Sequence, residues 1–141
     1  MQTQRGIAIR YFATAAITDA VDANGVGKAV IHSGDAEEVA EGTEAGYADF
    51  AGVIKSVRGG KTDAELGDEV GVDNDKVVEV KMSGASAYKD LITTDDDGKF
   101  QKLTLSATPT AEEILKICGR ILGSGTEEDG DTTTALIWVR K

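Results

Sequence analysis

Between residues 67 and 139 the chain is built from short β-branched and apolar runs cut apart by Gly- and Asp-rich turns. Gly67-Asp68-Glu69-Val70-Gly71-Val72 is followed by Lys76-Val77-Val78-Glu79-Val80-Lys81, and the chain later closes on Ala135-Leu136-Ile137-Trp138-Val139. Runs of four to eight such residues between turn formers read as strands. Many short strands with regular turns imply a sandwich or a barrel. The expected fold is therefore mainly β, a compact β-barrel or sandwich of short strands with one or two short helical segments.

Earlier segments extend the pattern. The run 6–13 reads as a strand, preceded by the polar residues 1–5, which are expected to form a mobile arm. Asn24-Gly25 marks a turn into a strand over 28–32, and 50–58 is a strand ended by Gly59-Gly60. Residues 33–50 hold six carboxylates and no Lys or Arg. Within them, 35–42 is left open between a short helix, with an acidic first turn and a Gly stop, and a loop. Asp73-Asn74-Asp75 is expected to reverse the chain into a hairpin, with Val78 and Val80 on one face of its second strand and Val77, Glu79 and Lys81 on the other.

Asp97-Gly98 predicts a two-residue hairpin turn in which both central residues take φ > 0. Thr110, with Glu113 three residues on, predicts a capped helical turn, cut short by Gly119. The last two strands fall over 117–122 and 133–139, joined by the polar link 124–131. No repeat or linker divides the chain, so residues 6–141 are expected to form a single domain behind the arm 1–5.

At 141 residues such a domain buries roughly 70% of its unfolded surface, enough for a core without disulfide staples. One cysteine, Cys118, lies in an apolar run and reads as a buried hydrophobe. The net charge is −10, from 25 acidic and 15 basic residues. That balance repels nucleic acid and anionic membranes alike. No stretch approaches the ~20 apolar residues of a membrane span, and the first residues lack the apolar core of a secretory signal. Synthesis in the cytoplasm is expected.

Motifs that tempt a chemical reading are incomplete. Asp95-Asp96-Asp97-Gly98 suggests a calcium loop, but the final bidentate acid would fall on Thr104. His32 is the single histidine and stands at a strand end. Gly59-Gly60-Lys61-Thr62 lacks the earlier glycine of a phosphate loop, since Ser56 occupies that position. Adjacent acids such as Glu37-Glu38 and Glu112-Glu113 read as solvated faces rather than catalytic pairs. Trp138 reads as core or interface anchor. The expectation is a protein without catalytic residues, metal, cofactor or small-molecule substrate, whose product is a surface.

Four features resemble the decoration, or cement, proteins of tailed-bacteriophage capsids. Val53-Ile54 before a Gly-rich turn is similar to that family's central strand, and Gly67-Asp68-Glu69-Val70-Gly71-Val72 to its next element. Ser83-Gly84 through Leu91-Ile92-Thr93-Thr94-Asp95-Asp96-Asp97-Gly98-Lys99 resembles a third, with Lys89-Asp90 where Gly-Asp is usual. Gly119-Arg120-Ile121-Leu122, an acidic loop and a terminal apolar strand resemble its closing hairpin. The acidic stretch 33–47 departs from the pattern. The resemblance implies a homotrimer on the outer surface of an icosahedral head, bridging subunits of the major capsid protein against internal DNA pressure. It implies a virion location and no catalytic residues. The arm and first strand are the expected contact, through Gln2, Gln4, Arg5, Ile7, Ile9, Arg10 and Tyr11. The alternative reading, from a different class, is a carbohydrate- or receptor-binding β module, which requires exposed aromatics beside polar loops.

Overall fold

The computed structural model describes residues 9–19, 23–123 and 132–139. The arm 1–5 and the link 124–131 lie outside these residues. Among the described residues the chain forms ten strands: β1 Ile9–Ala13, β2 Ala29–Ser33, β3 Asp35–Glu41, β4 Phe50–Val57, β5 Glu69–Asp73, β6 Lys76–Lys81, β7 Leu91–Thr94, β8 Phe100–Leu103, β9 Gly119–Ile121 and β10 Thr132–Ile137. A 3-10 turn, Ala45–Asp49, precedes β4, and one short helix, α1 Ala111–Leu115, precedes β9. The mainly β fold with short helical segments is as the sequence implies.

The first five strands close a barrel in the order β1-β3-β2-β4-β5, with β1 parallel to β3 and antiparallel to β5. Its interior is filled by Ile17, Val30, Val39, Ile54, Val70 and Val72, all essentially inaccessible to solvent. The other five strands form one sheet in the order β6-β10-β9-β7-β8. A second core lies between barrel and sheet, where Phe50 and Val53 of β4 meet Val80, Ile92, Phe100, Ile121 and Ile137. The rings of Phe50 and Phe100 meet edge to face, 5.9 Å between centroids.

β4 thus serves both cores. That is why its first five residues read as a continuous apolar run, the mark of a strand covered on two sides. Gly52 adopts φ +142 there, and a Cβ on it would lie 2.3 Å from the Asp73 carbonyl oxygen. Only glycine lets β4 pass so close to the end of β5.

Four expectations are corrected. Segment 35–42, read as helix or loop, is strand β3. Gly34, at φ +75, turns the chain back along β2, and Val39 fills the barrel while the acids around it stay at the surface. Hydrogen bonding to two neighbouring strands outweighs the helical preference of the Ala-Glu run. The expected β5–β6 hairpin is also absent: β5 pairs with β1 and β4, whereas β6 pairs along its whole length with β10. Asp73-Asn74-Asp75 instead carries the chain from barrel to sheet, and Asp75 Oδ1 accepts a hydrogen bond from Val139 N at 2.9 Å. Turn residues specify a reversal of direction, not a partner.

The β7–β8 hairpin forms as expected, in register Thr94↔Phe100, but its turn is longer than two residues. Asp95 Oδ1 accepts from the amides of Asp97 and Lys99, each at 2.9 Å, and Gly98 has φ +73 while Asp97 does not enter that region. An aspartate side chain mimicking a turn replaces the second left-handed residue. Lys89, which stands where glycine is usual in the resembling family, takes φ +77.

Charges are buried where barrel and sheet meet. Lys81 Nζ lies 2.9 Å from Asp19 Oδ2, with Lys99 Nζ 3.6 Å from the same oxygen. Lys28 Nζ donates to the Thr18 carbonyl at 2.7 Å and pairs with Glu41. The alternation expected in β6 holds for Val77, Val78, Glu79 and Val80, but Lys81 is 1% exposed and belongs to this cluster.

Candidate functional site

Two surfaces merit attention: the outer wall of β1 and a cleft at the far end of the sheet. β1 pairs with β5 over Ile9 to Phe12 and with β3 at Phe12 and Ala13. Strand alternation divides its side chains. Arg10 and Phe12 point outward, Phe12 being 47% exposed, while Ala13 is buried and Tyr11 packs against the barrel core. Burial raises the Tyr11 phenol above its ordinary pKa, and its ring meets that of exposed His32 edge to face at 5.4 Å.

Arg10 does not stand alone. Its guanidinium is 2.8 Å from Glu69 Oε1, and Arg58 reaches Glu69 Oε2 at 2.7 Å. The Glu69 carboxyl is held below its ordinary pKa by the hydrogen bond from Arg10 first, then that from Arg58. An acidic protein therefore presents two arginines around one carboxylate on this wall. Of the expected contact residues, Gln2, Gln4, Arg5 and Ile7 lie outside the described residues, and only the backbone of Ile9 is described. Arg10 is brought to the surface; Tyr11 faces the other way.

The cleft opens between the 3-10 turn, α1 and the end of β10. Tyr47, Phe50, Leu115, Ile117, Cys118 and Trp138 line an apolar compartment of about 180 Å³. Cys118 is buried, as its apolar surroundings in the sequence imply. An adjoining groove of about 440 Å³ is lined by Glu44, Asp96, Glu112, Lys116 and again Tyr47. Lys116 Nζ sits 5.7 Å from the Tyr47 ring centroid.

Both walls are fixed in place. The Thr110 hydroxyl accepts from Glu113 N at 3.2 Å, and the Glu113 carboxylate accepts from Thr110 N at 3.3 Å, the capping box expected from sequence. Ser106 Oγ donates to the same carboxylate at 2.9 Å and is the leading cause of its lowered pKa. Across the cleft, Thr94 Oγ1 donates to the Thr43 carbonyl at 2.7 Å, and Glu44 N donates to Asp96 Oδ1 at 3.0 Å. These bonds tie the 3-10 turn to the β7–β8 turn.

In the sequence the acidic stretch, the capped turn at Thr110 and Trp138 lie apart. Their meeting is a product of the topology, and the one local signal was an aromatic, Tyr47, within an acidic run. Among the described residues no group of three or more His, Cys, Asp or Glu is arranged to hold a metal ion.

No family model matches the chain, and no curated protein sequence matches it. Its fold is similar to that of head fiber gp8.5 N base in bacteriophage phi29, with a TM-score of 0.57 over 96% of this chain and 98% of that one, at 14% identity. At that identity the likeness is one of fold.

Proposed function

We propose that this chain is a structural component of a bacteriophage head, a non-enzymatic decoration protein bound to the outer surface of the capsid. One observation carries the reading: the fold similarity to a phage head fiber base runs across nearly the whole of both chains. The turn elements that resemble decoration proteins support it independently.

The physical role follows from where such a protein binds. Packaged DNA pushes capsid subunits apart at their junctions. A molecule bridging several major capsid protein subunits adds interface area there, and because it binds only the assembled shell it stabilises that state by mass action. Repetition over many equivalent sites makes modest single contacts sufficient. In this reading the protein acts as a homotrimer. Arg10, Phe12 and Arg58 offer it a wall on which charge and apolar area meet, and residues 1–5 supply an arm that adds to a capsid edge.

The test is light scattering on the purified chain, followed by co-sedimentation with empty, expanded capsids of the virus that encodes it. A trimer that pellets to a fixed, saturating ratio with capsid protein is the expected result. A monomer that never pellets overturns the reading. Deleting residues 1–5 is expected to lower occupancy while the thermal unfolding midpoint stays unchanged; undiminished occupancy removes the arm from the contact.

A further inference from the structure

We propose that the cleft between the 3-10 turn, α1 and β10 is a docking site for an extended segment of a partner protein carrying a large apolar side chain beside a Lys or Arg. The two compartments differ in chemistry and share one wall. The apolar one, near 180 Å³, is smaller than the ~300–1,000 Å³ of drug-sized ligand sites and suits a single side chain. Its rim is open: Leu115 of α1 is 53% exposed. The second compartment sets the carboxylates of Glu44, Asp96 and Glu112 against one ammonium, Lys116, for a net charge of −2 (three negative, one positive).

Tyr47 lines both, so an apolar group in the first and a cation in the second would be neighbours on one short segment. Lys116 already sits over the Tyr47 ring and 3.9 Å from Glu112, which demonstrates that this corner accommodates a cation. Nucleic acid and other polyanions are repelled by the same charges. A neutral saccharide would gain from the aromatics but nothing from the excess negative charge. The walls are preorganised by the capping box of α1 and by the bonds from Thr94 and Glu44, so the ordering entropy that opposes binding falls mainly on the incoming segment. The site stands on its own geometry and does not depend on the capsid reading.

Trp138 is the single tryptophan of the chain and lies in the cleft, so its fluorescence reports occupancy directly. Random hexapeptides on beads are selected against the full chain, and the strongest is titrated while Trp138 emission is followed. The expected result is enrichment of Lys or Arg next to a large apolar residue, with a saturable emission change that weakens at high salt. Glu44→Gln combined with Glu112→Gln is expected to weaken binding about fivefold, as two solvent-accessible ion pairs predict. Leu115→Ser is expected to weaken it as well. All three side chains are exposed, so circular dichroism of these variants should match the parent. Any of three outcomes overturns the proposal: no peptide binds, selected peptides lack a cation or bind the Gln variants equally, or an N-acetylglucosamine trisaccharide gives the saturable change instead.

Discussion

Glu69 is the residue on which the outer wall of the barrel turns. It receives two guanidinium groups, and its carboxyl is held below the ordinary value of 4.5. A carboxyl whose folded pKa lies below its unfolded one contributes stability that is present above about pH 4.5 and is lost as pH falls through the folded value. Two-dimensional NMR titration should give Glu69 a midpoint below that of the unfolded chain. The midpoint should rise in Arg10→Gln, and less in Arg58→Gln, because the Arg10 bond is the larger cause. Identical midpoints in both variants and the parent would contradict this assignment. Lys89 shows the same scale of detail in the backbone. Its side chain stands where the resembling motif has glycine, and the position takes the left-handed conformation that glycine most readily supplies.

At the scale of elements, α1 is too short to persist on its own and depends on its ends and its packing. Thr110→Ala removes the hydroxyl that accepts from Glu113 N and should cost about 1 kcal/mol in denaturant unfolding. Thr110→Asn should recover most of that loss, and an Ala variant as stable as the parent would show that the cap is idle. The β7–β8 hairpin, the capped helix, the last two strands and the strands β1, β2 and β4 all fall where periodicity and turn residues put them, because each carries its own local signal. The state of β3 and the partners of β5 and β6 are not legible in that way. β3 reads as helix or loop in isolation because only Val39 has an interior to fill. β5 and β6 read as a hairpin because nothing in Asp73-Asn74-Asp75 reveals that β10, more than fifty residues on, is the partner of β6. The cleft is not legible in the sequence either, since the 3-10 turn, α1 and β10 are brought together by pairings that no local run encodes.

For the whole molecule, the joint between barrel and sheet is held by the core around Phe50 and Phe100 and by buried ions. Asp19 precedes β2 on the barrel side, whereas Lys81 and Lys99 belong to the sheet side. Asp19→Ala strands these ammonium groups away from that carboxylate in a site solvent does not reach, and should cost about 3 kcal/mol. Urea unfolding of the single variant and of Asp19→Ala with Lys81→Met tests this: the second change should restore part of the loss, and a near-neutral single variant would rule out a clamp. The order of strands in the sheet has a separate implication for how the protein is made. β10, last of the described strands in chain order, lies inside its sheet, between β6 and β9. A nascent chain can complete its barrel once β5 has been synthesised, but the half that packs against it waits for Thr132 onward. Premature termination or nicking ahead of that point leaves β6 without its neighbour and the second core without Ala135 and Ile137. Copies that end before that point are therefore expected to be cut by protease faster than the intact chain, a consequence of strand order that limited trypsin digestion of both would check.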